Sequence, residues 1–291
     1  RQTRLFSSTI GTTRDTAPLA HSWSVTYGDR RDVEGDLTLG WLATGTYKNS
    51  YSYYDDGVDQ FKVPAPNFDG FEIPRESSET QVDPDQWQVE QGEETVRWGL
   101  GTLFGMELGE HSLSLSYIRT QHVEDTSTIL WDEDSRAMLG ETPLLYWHNQ
   151  SLIYTERTLS SLQLRGKHPL PAVPDDGGFS WGALTLKKPT LDWSFAVNEA
   201  TQNQPDRRFF LASFTPYDRS GNALNKWGDP RKPESGWAER SWREITEKND
   251  YSEVNVTWPF ELAGKEGELK AGLSATDTDR DYEQDSFYYL S

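Results

Sequence analysis

The sequence predicts an all-β protein, an antiparallel up-and-down meander of about eight or nine long strands, and three observations lead there. The first is alternation with period two. Val96, Trp98, Leu100, Thr102, Phe104 and Met106 form an apolar row against Arg97, Gly99, Gly101, Leu103, Gly105 and Glu107, the signature of a strand. After Leu108-Gly-Glu110 the pattern restarts, with Leu113, Leu115 and Tyr117 against Ser112, Ser114 and Ser116, as in the returning arm of a tight hairpin. The second is length: the alternating segments run for about ten residues or more, where strands of soluble sheets have about 5–6 and a tilted bilayer-crossing strand needs about 9–11. The third is the order of the connections. Short or moderate ones at 28–35, 107–111, 167–189 and 263–268 alternate with long ones at 55–90, 127–149 and 204–249, the asymmetry of barrels with periplasmic turns and long extracellular loops.

Taken in order, Leu5 to Ile10 gives a weak strand signal that Pro18 ends. Trp23, Val25 and Tyr27 alternate with Ser22, Ser24 and Thr26 before the charged, glycine-bounded turn Gly28 to Gly35. Leu37, Leu39, Trp41, Ala43, Gly45 and Tyr47 then face one way, and Tyr51 and Tyr53 continue the row where an interfacial aromatic belt would lie. A proline-bearing acidic connection follows, then the hairpin above. Gln150 to Gly166 returns with Leu152, Tyr154, Leu162 and Leu164 on one face and Arg157, Ser161, Gln163 and Arg165 on the other. Burying Arg157 and Arg165 unpaired in a dry core costs several kcal/mol; a water-filled lumen removes that cost. Leu191, Trp193, Phe195 and Val197 open the next strand, Val254, Val256, Trp258 and Phe260 the one after, and Leu269, Ala271, Leu273 and Ala275 the last.

The 291 residues carry a net charge of −19, which argues against a nucleic-acid partner. Apolar residues make up 34% and aromatics 13%, with 12 Trp, a mixture that suits an all-β surface with aromatic girdles. The absence of cysteine excludes a disulfide framework and thiolate metal sites. Without a run of about 18 apolar residues there is no transmembrane helix, which leaves a spanning barrel open. His21, His111, His122, His148 and His168 are scattered without metal-site spacing, Gly99 to Gly105 lies inside a strand and not in a phosphate loop, and Asp277, Asp279 and Asp281 lack the glycine and closing glutamate of a calcium loop. Glu156, Glu199 and Asp206 can be paired on paper as glycosidase carboxylates, but no nucleophile or phosphate motif accompanies them. The reading is therefore a non-enzyme without cofactor or metal. Trp87, Trp131, Trp147, Trp227 and Trp237 fall in the long connections, where they either stack on a sugar or chelate ring or pack the loops together.

Several stretches in sequence order resemble the barrel of TonB-dependent outer-membrane receptors: Trp23-Ser-Val-Thr-Tyr-Gly-Asp29, Leu37 to Tyr54, Trp98-Gly-Leu-Gly-Thr-Leu103, Tyr154 to His168, Leu191-Asp-Trp-Ser-Phe195, Gln204-Pro-Asp-Arg-Arg208 and Thr276 to Tyr282. The resemblance extends from about His21 onward. It implies a 22-stranded barrel with an N-terminal plug, importing a metal chelate, glycan or peptide. The partners it implies are the plug, the remaining barrel strands, the TonB–ExbB–ExbD energy complex, outer-membrane lipid and lipopolysaccharide, and a surface lipoprotein. Eight or nine strands without a plug or a terminal aromatic residue lead us to expect an internal part of a longer receptor, or one chain of a split one, with Arg157 and Arg165 facing the lumen and the plug. A soluble or surface-attached carbohydrate-binding β-sandwich and a passive porin are the alternatives.

Overall fold

The computed structural model describes residues 11–33, 35–60, 63–64, 71–72, 86–133, 146–171, 179–217, 222–228 and 238–288. Eight long strands dominate: β1 (His21–Asp32), β2 (Leu37–Gln60), β5 (Gln86–Leu108), β6 (His111–Glu133), β7 (Tyr146–Pro169), β10 (Thr190–Tyr217), β12 (Glu239–Leu262) and β13 (Lys265–Tyr288). Between them lie the short β3 (Val63–Pro64), β4 (Phe71–Glu72), β8 (Phe179–Trp181), β9 (Leu184–Leu186) and β11 (Ala223–Gly228). Every long strand pairs antiparallel with the next long strand in sequence, so the main sheet of 11 strands is a meander. Its outer strands, β1 and β13, are each paired on one side only, and the sheet is not closed. No helix occurs among the described residues.

The short connections are tight because their backbones take the left-handed region. Gly109 has φ 56° between β5 and β6, and Ala263 and Gly264, at 49° and 76°, join β12 to β13 as a two-residue hairpin turn. Connection 167–189 holds the β8–β9 hairpin, whose second strand continues the sheet beside β12 beyond the start of β10.

The strands extend further into the long connections than hydropathy shows. β2 runs on to Gln60, β5 begins at Gln86, β6 reaches Glu133, β7 begins at Tyr146, β10 continues to Tyr217 and β12 begins at Glu239. The boundaries at 55–90, 127–149 and 204–249 are corrected accordingly. Alternation is absent there because polar and apolar residues fall on both faces. Beyond the apolar rows cross-strand hydrogen bonding takes over: Asn49 Nδ2 and Tyr51 Oη both donate to Glu94 Oε1 at 2.9 Å. On the other face Ser161, Asn198, Asn249 and Thr278 form a relay across four strands at 2.7, 3.3 and 2.8 Å.

Register assigns the faces. Directly paired residues share a side, so Leu39, Trp41 and Ala43 of β2 share theirs with Met106, Phe104 and Thr102 of β5 and with Leu113, Leu115 and Tyr117 of β6. Leu162 and Leu164 of β7, Phe195 and Val197 of β10, Val254 and Val256 of β12 and Leu273 of β13 continue this apolar face. Opposite it lie mostly Ser, Thr, Gly, Asn, Gln and Arg, including Ser112, Ser114, Ser116, Gln163 and Asn198, with Leu42, Leu103, Ile118 and Leu159 scattered among them. Among the described residues nothing of comparable size packs over either face. The accessible surface is 20741 Å² at 33.2 kDa, where a globular monomer of that mass has about 12,600 Å². The only buried hydrophobic residues described are Val89, Ala196, Ala212 and Ala238.

The apolar residues form a diagonal band. The hydrogen-bonded row from Trp23 passes through Tyr47, Trp98, Gln121, Thr158, Thr201 and Thr246 to Asp281. On β1 and β2 the continuous apolar run ends on this row, at Trp23 and Tyr47, and on β5 two positions beyond it, at Val96. On β6, β7 and β10 it ends four positions nearer the short turns, at Tyr117, Leu162 and Val197; on β12 eight nearer, at Val254; on β13 six nearer, at Ala275. The drift is about one residue per strand, so with about 3.3 Å per residue and about 4.8 Å between strands the band lies roughly 35–40° off the hydrogen-bond rows. From Leu37 to Tyr47 it spans about 33 Å along the strand.

Aromatic rings gather at both margins: Trp23 and Tyr47 stack at 6.0 Å on one, and Tyr27 meets Trp41 edge-on at 5.2 Å on the other. Also at the second margin, Trp193 lies over Gly166, its partner on β7, where a Cβ would collide with the indole. Phe260 covers Gly267 in the same way.

Candidate functional site

The long-connection end of the sheet carries functional side chains on both faces, and the expected site residues divide between them. On the apolar face, well beyond the band, Trp131 of β6 stacks on His148 of β7 with ring centroids 3.9 Å apart and 20° between planes. Trp227 of β11 approaches both, at 6.0 and 5.5 Å, and leans on Phe214 of β10 at 4.9 Å. β11 folds back to pair with the end of β10, Phe214 opposite Trp227, which brings its indole to the group. Trp131 and Trp227 keep 37% and 52% of their surface open, so the group both pins β11 to the sheet and presents aromatic faces on which a ring can stack.

The other tryptophans separate. Trp147 is the register partner of Asp132 and Ser213 and belongs to the polar face. Trp87 lies in the backbone of β5, opposite Asp59, and Trp237 falls outside the described residues. Trp87, Trp131, Trp147 and Trp227 thus sit in strands rather than in irregular loops, for the reason that moved the strand ends.

The stretch before β1 is tied to the apolar face beside this group. Thr12 N–H donates to Gln150 Oε1 at 2.8 Å, and Arg14 grips Glu90 with two hydrogen bonds of 2.7 and 2.6 Å. Tyr53 Oη also donates to Glu90, at 3.0 Å.

His148 is buried, and desolvation pushes its pKa below the ordinary value of about 6.5. The imidazole is therefore neutral in the folded cluster, while the opened chain takes up a proton first as the pH falls. The contribution of the cluster to stability is complete above about pH 7 and is lost as pH falls below about 6.5. Loosening of Trp131 and Trp227 between about pH 7.5 and 5, read by tryptophan fluorescence, is the expected result; the His148→Gln protein should show a flat profile over that range.

Arg157 and Arg165 both lie on the polar face of β7, eight positions and so about 26 Å apart along the strand. Arg157 Nη1 donates to Glu124 Oε2 at 2.7 Å and its Nε to Gln202 Oε1 at 3.2 Å. That contact holds the Glu124 carboxyl below the usual range. Arg165 instead lines a concave patch near the short turns with Ser114, Gln163, Tyr251, Glu253 and Asn255. The two arginines therefore serve different depths of one wall. Among the described residues no three His, Asp or Glu side chains gather as metal ligands, and the one histidine pair, His111 and His168, meets at 3.2 Å between Nδ1 atoms.

Sequence reasoning overlooked the bulge at Pro205-Asp206. Between Gln204 and Arg207 the register of β10 against β12 slips, with Asp206 at φ 60°, a conformation that Asp tolerates better than most residues. Its carboxylate accepts from Arg208 Nη2 at 2.7 Å and from Arg240 Nε at 2.6 Å, and Arg240 is 2% exposed. The clue was present in Gln204-Pro-Asp-Arg-Arg208, where turn-forming residues interrupt a strand. No family model, curated protein or solved structure matches the chain. Its chemistry has to be read from the two faces alone.

Proposed function

We propose that this sheet is part of the wall of a transmembrane β-barrel in an outer membrane, and that it serves import by a TonB-dependent receptor of the 22-stranded kind. The observation that carries the reading is the slanted apolar band. Strands of membrane barrels tilt about 35–45° from the barrel axis and present an outward apolar belt about 25 Å tall between aromatic girdles. A belt level with the bilayer crosses tilted strands at a steadily shifting register, and about 33 Å along a strand slanted by roughly 35–40° rises about 26 Å, which matches that geometry. A sandwich needs a second sheet over its greasy side, and none covers this one among the described residues. The exposed Leu, Val and Phe rows would drive aggregation in water, and lipid relieves them.

In this orientation the Ser, Gly, Asn and Arg face lines the lumen, and the long connections are extracellular. The singly paired edges of β1 and β13 are where the remaining strands continue the wall. Arg157 and Arg165 face the plug, and the ligand, a metal chelate, glycan or peptide, enters from the side of the long connections. The chain acts without catalysis: the plug gates the lumen and TonB supplies the energy.

Because the chain has no cysteine, single-cysteine labelling is clean. Along β7, cysteines at Gln163, Ser161 and Arg165 should react with a membrane-impermeant maleimide, whereas cysteines at Leu162 and Leu164 react only with a lipid-soluble one, in outer membranes that show heat-modifiable gel mobility. Recovery as a monodisperse water-soluble monomer, or equal labelling of both rows, defeats the proposal.

A further inference from the structure

Four arginines, Arg207, Arg208, Arg240 and Arg243, converge on the β10–β12 bulge, and the carboxylate of Asp206 is shared by Arg208 and Arg240. Register places those two on the apolar side of the sheet, while Arg207, paired with Ser241, and Arg243, two positions along β12, lie on the polar side. Arg207 and Arg243 have no ion pair among the described residues. Arg243 donates from Nη2 to the Gln204 side chain, and Arg207 stacks over the Phe209 ring at 5.1 Å. Three of the five buried side-chain polar atoms without a hydrogen-bond partner lie here: Arg207 Nε, Ser241 Oγ and Arg243 Nε. Ser241 is 0% exposed. Glu239, on the same face beyond Ser241, bonds to neither arginine.

We propose that Arg207 and Arg243 form an oxyanion-binding site on the polar face at the β10–β12 bulge, which takes a carboxylate, phosphate or sulfate group carried by a ligand. Two guanidinium groups side by side, partly desolvated and with Glu239 acting on Arg207 only through space, are costly unless an anion completes them. Desolvation and the neighbouring Arg243 push the Arg207 pKa down, the direction that this crowding requires. Both residues are half-buried with Nε shut away from water, so an oxyanion meets the outer fork of Nη1 and Nη2, a geometry suited to bidentate hydrogen bonding. Phe209 fixes the plane of Arg207, and Gln204, itself held by donating to Thr155 Oγ1 at 2.8 Å, fixes Arg243. In a chain of net charge −19 such a locus gathers anions that the rest of the surface repels. The site stands on this geometry and does not depend on the import reading.

The test is calorimetric titration of the full chain, folded in detergent micelles, with citrate, inorganic phosphate and sulfate as separate probes. Saturable 1:1 binding is expected, weakened about ten- to hundredfold in each of R207Q and R243Q and unchanged in R157Q, whose guanidinium already has Glu124. R207K, which keeps the charge and loses the fork, should fall between. Preference for citrate identifies a carboxylate ligand, and preference for phosphate or sulfate a tetrahedral one. A strand-type circular dichroism spectrum verifies that each variant is folded, and R243Q decides the matter if R207Q fails to fold. No saturable binding of any probe up to roughly 10 mM, or equal loss in R157Q, overturns the proposal.

Discussion

On the proposed membrane reading, Leu115→Arg should strongly destabilise folding into a bilayer, while Ser116→Arg one residue away should be tolerated. Leu115 sits mid-band on β6, between Phe104 and Leu164, and is 40% exposed on the apolar face. An arginine on the lipid side of a barrel at mid-bilayer depth costs about 2–4 kcal/mol, and the cost fades to about 0–1 kcal/mol near the interfaces. Ser116 pairs with Leu103 and Gln163 on the polar face, where the neighbouring strand already carries Arg165 two positions from Gln163. The measurement is urea-dependent folding into detergent or lipid vesicles, followed by the gel-mobility shift. A loss of about 2 kcal/mol or more for Leu115→Arg against less than about 0.5 kcal/mol for Ser116→Arg is the expected pair of values. Equal losses would mean that the two faces meet the same medium.

Asp206→Ala should produce the largest effect outside the band. Breaking a buried ion pair by removing one partner costs about 3–5 kcal/mol, and Arg240, at 2% exposed, loses its carboxylate. Asp206 retains some exposure, at 23%, which places the expectation near the lower figure, about 3 kcal/mol. Asp206→Asn separates two causes, since Asn also tolerates a positive φ but carries no charge. If Asn rescues most of the loss, the backbone conformation is what matters; if Asn is as harmful as Ala, the ion pair is. Burial opposes the charged form of Asp206, but the hydrogen bonds from Arg240 and Arg208 outweigh it and hold the carboxyl below its usual range. The pair therefore contributes fully above about pH 4 and is lost only as pH falls below that.

The meander, its long strands and the identity of the greasy face were legible because Leu113-Ser-Leu-Ser-Tyr117 and Leu37 to Tyr47 alternate cleanly. The turns at Gly109 and Ala263-Gly264 were legible from glycine. The outer reaches of the strands were not, because segments such as Thr201 to Tyr217 and Glu239 to Asn249 mix polar and apolar residues on both sides, and such a mixture has no hydropathic period to detect. Of the site residues, Arg157 and Arg165 were correctly assigned to one face of one strand, but their separation in depth and the capture of Arg157 by Glu124 are tertiary facts. Trp131 and Trp227 meet only because β11 doubles back. Arg207 and Arg243, 36 residues apart in number and adjacent in register only through the slipped ladder, could not be linked from one sequence.

The band ends at Val197 on β10, yet that strand continues to Tyr217, so about 66 Å of it lies beyond the grease and rises roughly 50 Å at the proposed slant. Were the band seated in a bilayer as proposed, the sheet would stand like a chimney well clear of its roof. Whatever approached from that side would meet tryptophan and carboxylate first, far above the lipid.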